Sequence, residues 1–566
     1  MKKVNVPKDE FIPQLTTLLT NEGEESVILA LQLMKGLGLP TELVTHVFAL
    51  MVFHINIQVR RNAKDLLKTW ATRLEYTFIW ELSTQKLEVG NDTHMGNALE
   101  LLLHDTCLKP DILTQEAYRI TGYGLTHAIE NGYLPPETAM KKRVNNNRLD
   151  MSSESLEVFP ICLEKITQLV DLNLSYNSLS SLPAEISAFQ QLQIFSITNN
   201  YLSKIPVELN TLPALCELYI FNNHIIDFPV QENGYKRLRH LDLQNNGLTE
   251  IPTGFEYLTS LEYLHIGSNN IKSLPACLKN LKKLRELHAS NNFLQIVAGE
   301  LSTLPALEIL DISDNRLYEI EADLWHFPNL KTLFLQDNKL EILSEMVGEL
   351  TNLLILHVQI NRLRSLPEAV GKLLLLEVLY ANHNMLACLP DSIGNLKNLT
   401  EVYLYNNHLG ILPETIGEWV NITRFDMQYN SLRALPASMG NMAKLSNVDF
   451  SYNEISEIPE EMYNLRNVEY IYANNNYIGS ISSEVKKMRK LSTINLNRNV
   501  LREVPIELFQ LPNISEIRLE NNMLTDIPLN YTKAMSLREI HLDGNPISFT
   551  RIKELREMFP NLSIYY

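Results

Sequence analysis

Hydrophobic and polar positions recur with a fixed period over most of the chain. The stretch LVDLNLSYNSLSSLPAEISAF at residues 169–189 returns as LEYLHIGSNNIKSLPACL from Leu261, and the shared frame is LxxLxLxxNxLxxLPxxI. Its asparagine recurs every 23 residues from Asn177 to Asn545, and Glu154 takes its place one step earlier. The frame therefore counts eighteen turns without an insertion. A period of this length predicts a solenoid of stacked turns.

The frame residues have structural reasons for their spacing. The LxL alternation predicts a short strand whose leucines point inward, with the next turn adding a parallel strand about 4.8 Å away. The asparagine follows the strand, where its amide can both donate to and accept from backbone groups of a buried bend. We therefore assign these asparagines to the scaffold and not to a binding site.

The frame LxxLxLxxN with its LPxxI turn resembles the leucine-rich repeat. Its 23-residue spacing is similar to that of the intracellular, Ras-group leucine-rich repeat proteins, which include Ras-pathway scaffolds and bacterial members. The resemblance covers residues 149–547. It implies an α/β solenoid, a leucine-rich repeat horseshoe of about 18 turns with a parallel concave sheet. It also implies a non-enzymatic scaffold that holds other proteins, in some members small GTPases or phosphatases.

Before the repeats begin, from Glu22 to about Arg143, the sequence shows helical periodicity instead of this frame. Its periodicity and its Pro and Gly breaks predict the following helices: Glu25–Lys35, Glu42–His54, Gln58–Thr72, Gly96–His104 and Leu113–Asn131. We expect an all-α N-terminal domain over residues 1–145, either a cap that seals the first turn of the solenoid or a separate docking module.

Residues 39–70 resemble one helix pair of the HEAT type. The second helix of the pair places Arg60 and Arg61 outside. Its predicted buried face consists of Val59, Ala63, Leu66 and Leu67.

The solenoid is expected to span residues 146–547 and to end in a capping helix over residues 548–566. The apolar residues Ile552, Leu555, Met558 and Phe559 fall on one helical face. The final LSIYY can add half a strand.

Charge and composition limit the classes of partner that the chain is expected to bind. The chain is 45% hydrophobic and 20% charged, with a formal net charge of −17. Residues 1–145 hold −2 of this charge and the rest holds −15. Such a surface repels nucleic acid and anionic membranes, so we expect neither as a partner. It favours a protein partner with a basic, or an apolar and basic, surface.

Cysteine usage and the N-terminus indicate the compartment. The cysteines at 107, 162, 216, 277 and 388 are far apart, without a CxxC pair or cysteine-rich caps, which is typical of a reducing compartment. The N-terminus lacks the apolar run of a signal peptide, and the most apolar stretch, residues 43–57, is too short to span a bilayer. We therefore predict a cytoplasmic protein.

Outward strand positions are expected six, four and two residues before each asparagine. Four adjacent turns carry large aromatic or aliphatic side chains at these positions: Phe334, Ile355, His357, Val378, Tyr380, Tyr403 and Tyr405. Asp426 and Asp449 lie beside this patch and Asp311 lies on its other flank. The patch is either a partner site with interface hot spots or a set of rings that cover the sheet and stack on one another.

Two further clusters contain side chains suited to chemistry. Asp242, His265, His288 and Asp311 occupy one outward column, with His240 pointing the same way, and can hold either zinc or only water. Cys107 near His94 and His104 is either a thiol nucleophile or a cysteine at a helix end. No glycine-rich phosphate loop, GxSxG or HExxH is present. We therefore assign no catalytic residue, metal ligand or cofactor and expect no enzyme.

The leading hypothesis is a monomeric, cytoplasmic protein-interaction scaffold, with a role in signal transduction, that binds a protein partner on the concave face. The alternative is an effector or enzyme regulator whose activity or docking lies in the N-terminal helical domain. A third class is structural self-assembly through side-by-side solenoids.

Overall fold

The computed structural model divides the chain into two compact units, residues 1–248 and 249–566. The described residues are 8–20, 24–37, 39–54, 56–70 and 144–566, the last range with gaps at 155, 157–158, 160–162, 164–165, 298, 321–324 and 530–535. The helices predicted at Gly96–His104 and Leu113–Asn131 lie outside these residues.

The first unit begins with four helices. These are α1 (Lys8–Leu19), α2 (Glu24–Leu37), α3 (Val44–Phe53) and α4 (Ile57–Trp70), with a 3₁₀ turn at Thr41–Leu43 before α3. Three of them confirm predicted helices, whereas α1 precedes Glu22, where the helical pattern of the sequence begins. Pro13 lies inside α1, whose inner face buries Leu15 and Leu19.

Helix α4 buries the apolar face that its sequence predicts. Val59, Ala63, Leu66 and Leu67 are all at most 5% exposed, while Arg61 is exposed and Arg60 half-buried. Spacings of three and four residues place these apolar side chains on one side of the helix, where α4 packs against α2 and α3.

Parallel strands of three residues follow in the first unit. They are β1 (Arg148–Asp150), β2 (Asp171–Asn173), β3 (Ile194–Ser196), β4 (Glu217–Tyr219) and β5 (His240–Asp242). Each strand pairs in parallel with the next, and partners are 23 residues apart, as Leu172 and Phe195 are. The middle residue of each strand is buried and the flanking residues face away from the core.

The second unit continues the same pattern. Its strands are β6 (Tyr263–His265), β7 (Ser273–Leu274), β8 (Glu286–His288), β9 (Ile296–Val297), β10 (Ile309–Asp311), β11 (Thr332–Phe334), β12 (Ile355–His357), β13 (Val378–Tyr380), β14 (Glu401–Tyr403), β15 (Arg424–Asp426), β16 (Asn447–Asp449), β17 (Tyr470–Tyr472), β18 (Thr493–Asn495), β19 (Glu516–Arg518), β20 (Glu539–His541) and β21 (Ser563–Tyr565). All are joined in one parallel sheet except β7 and β9, which pair with each other.

The recurring asparagine ties each turn to the one before it. Asn407 accepts a hydrogen bond from the Leu386 N–H (3.0 Å) and donates to the carbonyl oxygens of Ala381 (3.0 Å) and Leu404 (2.9 Å). Equivalent bonds recur along the solenoid, for example at Asn177 and in the later turns. This confirms the structural role that the sequence assigns to the asparagine.

After most strands of the sheet the chain enters a short 3₁₀ helix on the opposite side of the turn, generally directly after the frame proline. Those in the first unit are Ala184–Ala188 and Val207–Thr211. Those in the second are Thr253–Tyr257, Ala276–Asn280, Gly299–Thr303, Glu345–Glu349, Glu368–Lys372, Asp391–Asn395, Glu414–Glu418, Ala437–Asn441, Glu460–Asn464 and Ser483–Lys487, with one α-helical turn, α5, at Ile506–Phe509.

A helix and a final strand close the chain. Helix α6 (Phe549–Met558) is capped by Ser548, whose hydroxyl accepts a hydrogen bond from the Arg551 N–H (3.2 Å). The inner face of α6 buries Ile552 and Leu555. Met558 and Phe559 are half-buried. The strand β21 pairs in parallel with β20, as the LSIYY sequence predicts.

Candidate functional site

Four adjacent strands carry aromatic side chains on the outer face of the sheet, the face that points away from the leucine core. Phe334, His357, Tyr380 and Tyr403 are the last residues of β11 to β14 and are aligned as partners across each strand pair. The preceding residue of each strand is a buried leucine or valine. Since side chains alternate along a strand, the four rings leave the sheet together on the outer face. We call these four residues the aromatic row.

The rings of the aromatic row form one continuous stack. Ring centroids are 4.5 Å apart for Phe334 and His357, 4.3 Å for His357 and Tyr380, and 4.7 Å for Tyr380 and Tyr403. The angle between ring planes falls from 23° to 11° and 4° along this series. These distances match the spacing of neighbouring strands. Burial lowers the pKa of His357, which favours the neutral imidazole within the stack.

Charged groups surround the Tyr403 end of the row. The Tyr403 hydroxyl donates to Glu401 Oε2 (2.6 Å), and the Arg424 guanidinium lies 5.3 Å from the ring centroid. Burial and the bond to Glu401 raise the pKa of the Tyr403 hydroxyl above its ordinary value. This end of the row is therefore held by polar contacts as well as by stacking.

The aliphatic members of the predicted patch join the row, whereas Tyr405 stands apart from the stack. Ile355 and Val378 are aligned partners on β12 and β13, and both are half-buried. Tyr405 contacts His383 edge to face, with ring centroids 5.1 Å apart. The row and its neighbours thus form a surface whose side chains lie partly in solvent.

Two aspartates follow the row on the next two strands. Asp426 and Asp449 are aligned partners on β15 and β16. Asp426 is only 7% exposed and accepts hydrogen bonds from Gln428 N (3.3 Å) and Nε2 (3.2 Å). Asp449 accepts from Ser451 N (2.9 Å), and burial raises its pKa to about 6, with Asp426 adding to the shift. The predicted acidic flank is present, but Asp426 is less accessible than the sequence suggests.

The sequence also predicts that the residue two positions before the asparagine faces outward. This prediction is wrong for many turns. Ser175, Thr198, Ser313, Asn382 and Ser451 are all buried there. The chain has already left the strand at this point and is entering the bend that the asparagine fills. A strand of three residues provides only two outward positions.

The residue directly before the asparagine is exposed in most turns instead, and sequence reasoning missed it. It has a left-handed backbone in turn after turn, with φ of 55° at Ile360, 51° at Tyr429 and 52° at Tyr452. The rings of Tyr429 and Tyr452 stack at 4.1 Å and are 48% and 40% exposed. Asn, Ser or Asp tolerates this conformation better than a bulky residue. An Ile or Tyr in place of Asn, Ser or Asp directly before the frame asparagine was therefore the sequence signal for these exposed side chains.

The histidine column lies beyond the β11 end of the row. The rings of His265 and His288 are 4.5 Å apart, and His288 Nδ1 lies 3.6 Å from Asp311 Oδ2. The Asp311 carboxylate beside the ring is the main cause that raises the pKa of His288. Asp242 and His240 belong to the first unit, where both are part of β5.

The cysteine hypothesis falls on residues that the structure does not describe. Cys107, His94 and His104 lie outside the described ranges. Cys216, Cys277 and Cys388 are free thiols, and burial raises the pKa of Cys277. Within the described ranges, no helix has both the length and the apolar character needed to cross a bilayer.

Comparison with known proteins agrees with this architecture. Two profiles described as Leucine rich repeat match residues 236–294 and 398–419. A comparison with curated protein sequences found no match.

Solved structures share the fold. The leucine-rich repeat protein LIC12759 of Leptospira interrogans is 26% identical, with a TM-score of 0.61 over 76% of this chain and 98% of its own. YopM of Yersinia enterocolitica is 24% identical, with a TM-score of 0.51 over 72% and 91%. The plant peptide hormone receptor RGFR1, in complex with RGF2, is 24% identical, with a TM-score of 0.51 over 76% and 80%. The last two show the fold alone.

Proposed function

We propose that this leucine-rich repeat protein is a non-enzymatic scaffold that binds a protein partner over the aromatic row. Its fold is typical of protein–protein interaction, and the matched profiles name no catalytic family. The observation that carries the proposal is the continuous stack of Phe334, His357, Tyr380 and Tyr403 on the outer face. The LxxLxLxxN frame does not require aromatic rings at these positions, and rings held rigidly lose little entropy when a partner covers them.

The surroundings of the row indicate what the partner presents. Ile355 and Val378 extend the apolar surface, and Asp426 and Asp449 place two carboxyl groups beyond Tyr403. A complementary partner has an apolar centre flanked by an Arg or Lys that approaches Asp449, the less buried of the two. The formal net charge of −17 supports the same choice, since it attracts basic protein surfaces over a long range.

The remaining parts of the proposal concern the setting. The protein acts as a monomer in the cytoplasm, in a signalling assembly, and uses no cofactor, nucleic acid or membrane. The free thiols at Cys216, Cys277 and Cys388 support a reducing compartment. The helical segment of residues 1–145, the solenoid of 146–547 and the terminal helix of 548–566 are the proposed domains.

The test compares full-length variants in capture from a lysate, followed by affinity measurements with each purified partner. Tyr380→Ala with Tyr403→Ala should weaken binding by about 100-fold or more, because buried tyrosines at an interface commonly act as hot spots. Tyr318→Ala with Tyr477→Ala is the matched control, since both tyrosines are exposed and lie outside the row. This control should bind as the wild type does.

Two outcomes count against the proposal. Equal binding by the row variant and the wild type would remove the row from the interface. A large loss of stability in the row variant would assign the rings to the fold.

A third variant, Leu29→Ser with Leu33→Ser, changes two exposed leucines one turn apart on α2. Loss of the same partner in this variant alone would favour docking through the N-terminal helices.

A further inference from the structure

We propose that His265, Glu286 and His288 form a binding site for a divalent transition metal ion, with Zn²⁺ the best fit. Each of the three offers one ligand atom on the outer face of the sheet, and these atoms all lie within 4.8 Å of one another. Two imidazoles and a carboxylate with room for a water molecule are a common ligand set for zinc. The site is separate from the aromatic row and does not depend on the proposed partner.

The strand geometry brings the three ligands together. His265 and His288 are aligned partners on β6 and β8, and Glu286 lies two residues before His288 on the same face. His288 Nε2 is 3.3 Å from Glu286 Oε2. Two ligands of a tetrahedral ion with bonds of about 2.0–2.1 Å are themselves about 3.3 Å apart. A zinc ion can therefore bridge these two atoms without moving the strand.

A carboxylate on the next strand supports the ligand set. His288 Nδ1 lies 3.6 Å from Asp311 Oδ2 and Nε2 lies on the Glu286 side, so with a metal ion bound at Nε2 the Nδ1 proton would face Asp311. Asp311 is fixed in turn by Ser313, whose hydroxyl (2.6 Å) and N–H (3.1 Å) both donate to Oδ1. Metal-binding histidines commonly donate their second N–H to such a carboxylate, which fixes the tautomer. Asp311 is thus a positioning residue for His288.

A second cluster in the described ranges fits a metal less well. Glu516, Glu539 and His541 also lie within 4.8 Å of one another. However, Glu516 Oε1 is already paired with Arg518 Nε at 2.5 Å, and the ring of His541 stacks on Tyr565. This cluster offers one imidazole where the first offers two, so it serves as the internal control.

The test is titration of the metal-free, full-length protein with Zn²⁺ by calorimetry, supported by the visible spectrum of bound Co²⁺. We expect the wild type to bind one zinc ion per chain. The zinc affinity of His265→Ala and of His288→Ala should be lower by about 100-fold or more. Asp311→Asn should cost about 10- to 100-fold, as supporting carboxylates do. His541→Ala should leave the affinity unchanged. Glu286→Gln, which keeps the side-chain shape, provides a ligand variant if a histidine variant fails to fold.

The Co²⁺ spectrum and the zinc affinities test the site independently. Intense Co²⁺ bands of a low-coordinate site with nitrogen ligands, absent in His288→Ala, would support the assignment. The zinc site would be overturned by an unchanged zinc affinity in the folded variants His265→Ala, His288→Ala and Glu286→Gln. An equal loss in His541→Ala would also overturn it, because that result places the ion elsewhere.

Discussion

Asp449 is a residue whose burial opposes its charge. Asp449 is aligned with Asp426 on the neighbouring strand, and Ser451, through its hydroxyl and its N–H, and the nearby Arg424 offset the burial only in part. The pKa in the folded protein is about 6, compared with an ordinary value of 3.8. The folded state therefore holds this proton more tightly than the unfolded state does.

A stability measurement at two pH values tests this imbalance. A raised carboxyl pKa destabilises the fold as the pH rises from about 4 through 6, because the folded state must then ionise a group that it prefers neutral. Asp449→Asn removes this cost and keeps an acceptor for Ser451. We expect the variant to gain on the order of 2 kcal/mol over the wild type at pH 7.5 and little at pH 4 in urea unfolding. A gain of equal size at both pH values would contradict the assignment.

Residue positions within the frame could be predicted because each has one physical reason that repeats in every turn. The bonds of Asn407 are the example, since its amide does what a buried bend requires. The left-handed residue before it was missed, because a backbone angle leaves only a weak preference for Asn, Ser or Asp. Ile360 at φ 55° departs from that preference and is 47% exposed.

At the scale of elements, glycines set how closely successive 3₁₀ helices pack. A Cβ built on Gly417 would lie 2.6 Å from Ser438 Cβ and 2.6 Å from its carbonyl oxygen, in the next turn. Gly348 and Gly440 meet the following turn in the same way. The absent side chain lets these backbone segments lie in contact.

Substitution of one such glycine should therefore loosen the stack. Gly417→Ala should reduce the free energy of unfolding by about 1–3 kcal/mol, the usual cost of overpacking. Gly410→Ala is the matched control, because a Cβ there has no atom within 4 Å among the described residues. The control should be neutral or slightly stabilising. Urea midpoints of the two variants measure the difference, and equal midpoints would show that the turns can separate at no cost.

The elements were predicted unevenly from the sequence. Strands followed from the LxL alternation, and helices α2 to α4 from apolar residues three and four apart. Helix α1 was missed because Pro13 and the short polar stretch after it resemble a break, although Leu15 and Leu19 give the helix a buried side. The 3₁₀ helices were missed because five residues are too few to show a period.

At the scale of the molecule, the frame runs through the described turns of the second unit without an insertion, so turns should be removable in whole units. Deletion of residues 477–499 removes one 23-residue period and joins equivalent positions. We expect the far-UV circular dichroism and cooperative urea unfolding to persist with a small loss of stability, as nearest-neighbour stacking implies. Deletion of residues 477–487 breaks the frame and should abolish cooperative unfolding. Similar behaviour of the two deletions would contradict the repeat-by-repeat description.

The candidate site could be predicted as a set of residues but not as a surface. Large side chains in one outward column identified the aromatic row, because the frame does not require them. Whether the rings stack, as Tyr380 and Tyr403 do at 4.7 Å, depends on side-chain rotations that no spacing in the sequence encodes. The same limit applies to His288, whose two ring nitrogens face different carboxylates.

The asparagine bonds between successive turns also describe a mechanical element. Each turn of the second unit is anchored to its predecessor by the same few hydrogen bonds, so a force applied to the two ends of the unit loads these links in series. A link that breaks frees one period of 23 residues, about 80 Å of extended chain. Under tension the solenoid would therefore lengthen in equal steps, each step releasing one whole turn, and would act as an extensible tether.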